Sequence, residues 1–413
     1  MQLALNFAAQ ACCPLSKEGI MFMMKKRNFI FVIIVSMLAG ALAIGGTILL
    51  VGQASGGYRA ITNEEYENYK LMKDKYGKLA ELEQYIEEKY YVPVEENALM
   101  EGIYKGLFWG IGDPYSAYLS KEEYEEIMIS TTGEYQGVGV TIAPDERGLI
   151  NVVSPIDGSP ADKAGIKTGD KIVSVGGEIY DGNSIDQAVA AMRGKPGTKV
   201  DLVIIRGQKE LQFTIIRANI VMQTVRSEVL DGNIGYIRIS SFEEKTADDF
   251  KRHLKDMESQ GVKGLILDLR DNGGGLVEVS VEVADALLEE GVVTYTEDRK
   301  GNKEYYKSTP GMTRLPYVVL VNGGTASASE IITGAIKDHK TGKIVGTTTY
   351  GKGIIQSIEK LSNGDAVKLT IMQYFSPDGN VIHKVGIKPD IEVEELADDE
   401  PDKQLEKAKE LLQ

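Results

Sequence analysis

The run from Phe29 to Val51 constrains this chain more than any other stretch, because its 23 residues carry no charge. As an α-helix rising about 1.5 Å per residue it reaches roughly 34 Å, enough to cross the hydrocarbon core of a bilayer. Lys25, Lys26 and Arg27 precede it. Such a basic cluster holds the N-terminal side in the cytoplasm, so everything after Gly52 is expected outside. A cleaved signal peptide is the competing reading, although its apolar core is usually shorter. Residues before Met21 match no targeting pattern, and Met21, Met23 and Met24 stand as alternative starts.

The remainder reads as folded protein. The 413 residues allow two or three domains, and 43% apolar with 26% charged residues suits a packed core. A formal net charge of −15 argues against a nucleic-acid partner, since phosphate contacts need basic patches. Cys12 and Cys13 are the only cysteines, which leaves no disulfide framework and no thiol for chemistry further on. His253, His339 and His383 lie far apart with no His-x-x-x-His pair, which argues against a catalytic zinc. No cofactor is called for.

"GQASGGYRA" reads as a short linker. Thr62 to Tyr90 is rich in Glu, Lys, Leu and Tyr and predicts a helical stalk or a helix pair that Pro93 ends. "ALMEGIYKGLFWGIGDPYSAYLS" predicts an amphipathic helix closed by a Gly-Asp-Pro turn, and Lys121 to Ile129 a short third helix. From Gly133 to Ala218 short β-rich runs alternate with Gly, Pro and Asp turns, which predicts a small β module. After it, strands such as "IGYIRISSF", "GLILDLR" and "YVVLV" alternate with helical segments, the order of an α/β core. "IIQSIEKL" and "AVKLTIMQYF" add two late strands, and "QLEKAKELL" has the apolar spacing of a helix that docks on a partner helix.

One turn in this core carries chemistry. "NGGTASASEI" (Asn322 to Ile331) sets three hydroxyls among alanines and glycines between a strand and a helix. A serine there becomes a nucleophile only when a base removes its proton. No histidine lies in any of these motifs. A lysine can serve if it is neutral, which requires lowering its pKa from about 10.4 by roughly 3 to 4 units, on the order of 4 to 5 kcal/mol. Burial can supply that. Lys352 lies between two glycines, before an apolar strand, with no acidic residue near it in sequence. Gln356 stands two steps of strand alternation beyond it, on the same expected face. The glycines of "DNGGG" free backbone N–H groups to meet an oxyanion. Thr325 and Ser329 read as turn or cap hydroxyls, and Asp271 and Asn272 as turn-shaping residues.

Taken in order, "GDPYSAYLS", "GVGV", "SPADKAGIKTGDKIVSVGG", "LDLRDNGGG", "NGGTASASEI", "GKGIIQ" and "VGIKPDI" resemble the C-terminal processing, or tail-specific, proteases. In that family a PDZ domain is set into a Ser-Lys serine peptidase. The resemblance covers about Leu82 to the end. It implies Ser327 as nucleophile, Lys352 as general base 25 residues on, and Gln356 as the residue that orients the lysine. It implies an oxyanion hole from the Ala328 amide and a glycine amide, Gly273 or else Gly274. "GVGV" (Gly137, Val138, Gly139, Val140) resembles the loop that receives a terminal carboxylate, beside which the peptide adds as an extra strand. No basic residue stands at Gly133 to Gln136, just before that loop. Arg193 resembles a family arginine that reports PDZ occupancy, or else is a surface charge.

The expected organisation is therefore a cytoplasmic N-terminus (1–24), a transmembrane anchor (25–52), a linker and helical region (53–132), a PDZ domain (133–218), a crotonase-like α/β Ser-Lys catalytic core (219–396) and a C-terminal helix (397–413). Expected partners are protein or peptide substrates with apolar C-termini, a second copy in a homodimer, and the membrane. A catalytically inactive PDZ adaptor is the alternative, opposed by the intact Ser327, Lys352 and Gln356 set. An acyl-CoA enzyme of the crotonase type would need neither the Ser-Lys pair nor a PDZ module.

Overall fold

The uncharged run forms one helix, Lys26–Ala54, in a computed structural model that describes residues 26–54, 61–394 and 401–413. Its window Ile30–Thr47 has a mean hydropathy of 2.3 and is long and apolar enough to cross a membrane. A membrane anchor and a signal sequence share that property. The expected cytoplasmic segment 1–24, Lys25 and most of the linker lie outside the described residues. The chain divides into two units, Met1–Glu95 and Glu96–Gln413.

The first unit also holds a single 27-residue helix, Asn63–Lys89, where a helix pair was the other expectation. Thr62 starts it with a capping box: its hydroxyl accepts the Glu65 N–H, and the Glu65 carboxylate accepts the Thr62 N–H. The helix ends at Lys89, four residues before Pro93, and none of its residues is buried.

In the second unit, helix Glu96–Trp109 leads through the Gly-Asp-Pro turn to a three-residue strand, Ala117–Leu119. Helix Lys121–Thr132 follows, opened by a Ser120–Glu123 capping box and closed by Gly133 in the left-handed region at φ 69°. The β module then begins. Strand Glu134–Gly137 pairs antiparallel with Ala218–Val221, so the module closes at Val221, three residues beyond Ala218. Its main sheet runs in the order Val140–Pro144, Ile150–Pro155, Lys171–Val175, Lys199–Arg206, Lys209–Ile216. Alternate residues of these strands (Ile150, Val152, Leu202 and Ile204) are fully buried, the period of a one-sided core. Val140–Pro144 is an edge strand, and helix Ile185–Met192 packs on the same core.

The α/β core is built on a six-stranded sheet ordered Val225–Leu230, Ile234–Ile239, Gly264–Asp268, Tyr317–Val321, Lys343–Gly346, Ile391–Glu392. All pairs are parallel except the first. Leu265, Leu267, Val319 and Val321 face the cluster formed with helices Thr246–Ser259, Val277–Asp285 and Ala328–His339. The alternate residues Ile266, Val318 and Leu320 face the helix Lys403–Leu412 through Ala408 and Leu405. Coverage on both faces explains why "LIL" and "YVVLV" read as unbroken apolar runs. It also corrects one expectation: the C-terminal helix lays its apolar face on its own sheet, not on a partner helix. A second, antiparallel sheet joins Ala117–Leu119, Ala366–Phe375 and the hairpin Gly291–Asp298/Lys303–Ser308, with Ile354–Lys360 also paired to Ala366–Phe375.

Candidate active site

Three neighbouring parallel strands, Gly264–Asp268, Tyr317–Val321 and Lys343–Gly346, end on the same side of the sheet. The glycine turn, the hydroxyl-rich turn and the loop carrying Lys352 leave those three ends. The carboxyl ends of such strands form a crevice because successive loops diverge there. The first two turns are tied together. The Ala326 N–H donates to the Asn272 carbonyl at 2.9 Å, and Ser329 Oγ donates to the same oxygen at 3.0 Å. Thr325 Oγ1 donates to the Leu269 carbonyl at 2.8 Å. Ser329 and Thr325 are fully buried, so their hydroxyls serve the turn. Asn272 is buried as well, and its amide spans from the Ile239 carbonyl to the Gly274 N–H.

Ser327 stands between strand and helix at φ 57°, ψ −120°. A non-glycine residue there carries about 1–3 kcal/mol of strain, which persists where surrounding bonds over-determine it. A strained strand-to-helix turn also presents the nucleophile in α/β-hydrolases. Gly274, at φ +103°, backs onto it. A Cβ on Gly274 would lie 2.7 Å from Ser327 Cβ and 2.9 Å from the Ala328 nitrogen. The Gly274 N–H already donates to Asn272 Oδ1 at 2.9 Å. A Cβ on Gly273 would meet nothing within 4 Å. Ala328 opens helix Ala328–His339, whose first-turn N–H groups carry the positive end of the helix dipole.

The bonds that hold Ser327 converge on Glu330, which is fully buried. Its Oε2 accepts the N–H of Ser327 at 2.9 Å and that of Lys352 at 2.8 Å. Its Oε1 accepts the Gly351 N–H at 2.7 Å and Thr349 Oγ1 at 2.6 Å. Tyr374, also buried, brings its hydroxyl within 2.9 Å of the Ser327 carbonyl and 2.5 Å of the Lys352 carbonyl. Burial, and then the Glu330 charge, push that hydroxyl well above the usual tyrosine range, so it stays protonated and donates. Gly353 allows the Lys352 loop to pass against His383, where a Cβ would meet the His383 nitrogen at 2.5 Å.

Burial holds the Lys352 amine below the usual lysine range, with the charge of Lys368 acting the same way. Asp113 and Glu330 oppose them. The sequence showed no acidic neighbour, but the fold supplies two, and burial still prevails. Gln356 donates through Nε2 to Thr370 Oγ1 at 3.2 Å. Among the described residues no hydrogen bond joins it to Lys352. Simple strand alternation does not relate the two: the strand begins at Ile354, and its pairing slips between Ile355 and Gln356.

Family models match in three places: Peptidase family S41 over residues 233–393, PDZ domain over 152–206, and activating protease CtpB N-terminal domain over 39–123. The carboxy-terminal processing protease CtpA of Bacillus subtilis (strain 168) is 37% identical over 371 residues, 89% of this chain and 77% of the relative. A carboxy-terminal-processing protease of Bartonella bacilliformis is 37% identical over 343 residues, 81% of this chain and 77% of the relative. A solved photosystem II D1 C-terminal processing protease is 29% identical, with 81% of this chain and 94% of that one covered and a TM-score of 0.47.

The chain belongs to peptidase family S41. It is a serine peptidase with a PDZ domain. In this S41 peptidase the PDZ groove, of about 100 Å³, is lined by Tyr135, Val138, Gly139, Val140, Ile142, Val189, Met192 and Arg193. Three residues of "GVGV" thus meet the helix Ile185–Met192 beside the open edge of Val140–Pro144. Gly137 precedes them at the end of strand Glu134–Gly137, and Gly139 turns its carbonyl inward to the Ile156 N–H and Ser159 Oγ. The sequence placed no basic residue before this loop, but the fold brings Arg193 to the groove from the far end of the helix, 6.0 Å from the Tyr135 ring centroid.

Sequence reasoning passed over Glu330 and Tyr374 in the peptidase. Glu330 was legible as the third residue after Ser327, a capping-box spacing. Nothing in the sequence marked Tyr374.

Proposed function

We propose that this S41 peptidase is a membrane-anchored endopeptidase that captures substrate C-termini in its PDZ groove and cleaves with Ser327 as nucleophile and Lys352 as general base. The Glu330 clamp carries the reading: one buried carboxylate accepts the N–H groups of both Ser327 and Lys352, so residues from two separate loops are held together. A neutral Lys352 amine takes the Ser327 proton as Oγ attacks the substrate carbonyl carbon. The oxyanion accepts the N–H groups of Ala328 and Gly273; the Gly274 amide is already engaged, which favours Gly273. The lysine then gives its proton to the leaving amine. Water, deprotonated by the same lysine, opens the acyl-enzyme. Gln356 orients the amine, and its bond to Thr370 limits its own movement.

Ser327→Ala and Lys352→Ala are each expected to abolish peptide hydrolysis with the fold intact, since residues acting as a unit lose nearly everything singly. A folded variant of either kind that keeps most of its activity would remove the assignment. Ser329→Ala is expected to keep appreciable activity.

For the PDZ domain, the open strand edge, the apolar groove and Arg193 support capture of a free, apolar C-terminus. Arg193 links an occupied groove to the active site in this reading. A peptide ending in Val-Ala-Ala is expected to be cleaved roughly tenfold or more faster as the acid than as the amide, because amidation removes charge-assisted bonds. Equal rates at sub-saturating concentration would remove tail recognition while leaving the hydrolytic site untouched.

Helix Lys26–Ala54 supports a single-pass anchor with the catalytic part outside the cytoplasm, and the exposed helix Asn63–Lys89 supports the expected stalk. Exposed Tyr66, Tyr69, Leu71 and Met72 on that helix support self-association as a homodimer. A parallel sheet flanked by helices supports the crotonase-like assignment of the core. Full protection from protease in spheroplasts would overturn the topology. Light scattering of the solubilised protein that gives only monomer would overturn the dimer.

A further inference from the structure

The "GDPYS" turn has so far contributed only the Asp113 charge, yet its ring also reaches the lysine. Lys352 Nζ lies 4.8 Å from the centroid of the Tyr115 ring, within the roughly 6 Å over which a ring face attracts a cation. The turn is fixed in place. Asp113 Oδ1 accepts the Tyr115 N–H at 3.0 Å and Asp113 Oδ2 accepts Ser116 Oγ at 2.6 Å. Ser116 Oγ in turn accepts the Thr370 N–H at 3.0 Å, and Thr370 Oγ1 receives Gln356. Strand Ala117–Leu119 then pairs with residues 366–368. The turn that carries the ring is therefore bound to strand Ala366–Phe375, whose Thr370 also receives Gln356.

We infer that Tyr115 is a further positioning residue of the hydrolysis: its ring face caps the Lys352 amine, keeps water from it, and stabilises the positive charge that forms as the amine takes the Ser327 proton. The inference rests on the reading of Lys352 as the base. The phenol itself is no rival base. Its hydrogen bond with Tyr350, a long one at 3.5 Å, and then burial push Tyr115 up to about 12. What it offers the lysine is a neutral ring whose negative face suits an ammonium and leaves a neutral amine nearly indifferent. Such help grows along the reaction coordinate, which is what raises a rate.

The charged and titratable groups around Lys352 set the signs. Asp113 and Glu330 favour the ammonium and Lys368 disfavours it. Tyr350 adjoins the Tyr115 hydroxyl. His383, packed against Gly353, is held below the usual histidine value by burial and then by Lys384. Burial is the largest influence on Lys352 itself. Because its pKa is lowered in the folded enzyme, activity rises with pH as the amine loses its proton, along a limb below the ordinary lysine range.

Three substitutions separate the ring face from the hydroxyl and from simple bulk, read as kcat and kcat/KM against pH on the full-length enzyme. Tyr115→Phe keeps the ring, and both the plateau rate and the limb are expected to stay near wild type. Tyr115→Leu keeps apolar bulk without a π face. Its plateau kcat is expected to fall roughly 2- to 30-fold, with KM little changed and the limb shifted to lower pH, since the ammonium has lost its support. Tyr115→Ala admits water, and the limb is expected to move to higher pH because burial dominates.

A Leu variant with wild-type kcat and an unmoved limb overturns the charge-stabilising role, and a Phe variant as slow as Leu assigns the effect to the hydroxyl instead. A limb that moves down in Ala overturns the shielding role. Should Ala fail to fold in a thermal melt, the Phe and Leu pair still decides. Lys352→Ala, assayed alongside, keeps the two readings apart. Activity in that variant means Lys352 is not the base. No activity there, with a failed Tyr115 pattern, removes the Tyr115 role alone.

Discussion

Glu330→Gln tests the clamp with the smallest change in shape. The carboxylate serves two pairs of donors, Ser327 and Lys352 on one oxygen, Gly351 and Thr349 on the other. A glutamine offers one oxygen, and its NH2 group must face one of the pairs. Turning the NH2 toward Thr349 is the less costly choice, because a hydroxyl can rotate and accept. Gly351 N–H is then left facing a donor, while Ser327 and Lys352 keep a neutral acceptor where they had a charged one. A hydrogen bond to a charged group contributes about 1.5–3 kcal/mol, so losing one bond and weakening two gives roughly 2–5 kcal/mol of destabilisation. That is several degrees in melting temperature.

The kinetic effect is expected to be larger in proportion. Gly351 is the residue before the base, and a displacement of about 1 Å at a reacting group can reduce the rate about 100-fold. The Glu330 charge also favours protonated Lys352, so its removal shifts the acid limb of activity to lower pH. The variant should thus carry more neutral lysine at a given pH and still turn over more slowly. Peptide cleavage followed across pH, together with a thermal melt, reads all three quantities. A Glu330→Gln enzyme within threefold of wild-type kcat, with an unchanged melting temperature, would refute the clamp.

Gly274→Ala is expected to lower kcat at least about tenfold and destabilise by roughly 1–3 kcal/mol, because its Cβ meets fixed atoms of the Ser327 turn. Gly273→Ala keeps its amide, meets nothing within 4 Å, and should retain most activity, a contrast the same peptide assay reads. Glu243, buried against Gly133, is raised by burial to about 7. The folded state therefore holds a proton that the unfolded chain has released, so its contribution to stability is lost as pH rises from about 4.5 through 7. Glu243→Gln is expected to flatten that part of the pH–stability curve, with a gain on the order of 3 kcal/mol above pH 7 in denaturant melts. A curve unchanged in slope would rule out this burial effect.

Periodicity and turn chemistry were enough to read much of this fold. Strand Tyr317–Val321 and the helix after it were legible because a buried parallel strand needs an unbroken apolar run and its turn needs small residues. The uncharged run marked a helix long enough for a bilayer, and a small β module showed in its Gly-, Pro- and Asp-punctuated strands, its PDZ character only in the resemblance. The strand Ala117–Leu119 escaped because its partner lies far along the chain, and the hairpin Gly291–Asp298/Lys303–Ser308 because half-exposed strands carry little pattern.

The sequence also delimited the candidate chemistry. Without a histidine in any motif, the base had to be sought among lysines, and the Gly-Lys-Gly stretch supplied one. Sequence could not say whether that amine is dry. Burial and the net effect of Lys368, Asp113 and Glu330 are sums over atoms from separate segments of the chain, and such sums exist only once the chain has closed. The capping-box spacing of Glu330 was legible, but its role was not, because its carboxylate became an organising centre only where two neighbouring strands end together. The sequence left Arg193 open between a sensor and a surface charge, since only the fold brings it to the groove, and it hid Tyr115, more than two hundred residues from the lysine it approaches. Local pattern is set by neighbours in the chain, and the sequence carries it in full. Electrostatics and close approach are set by neighbours in space, and the tertiary structure alone brings those together.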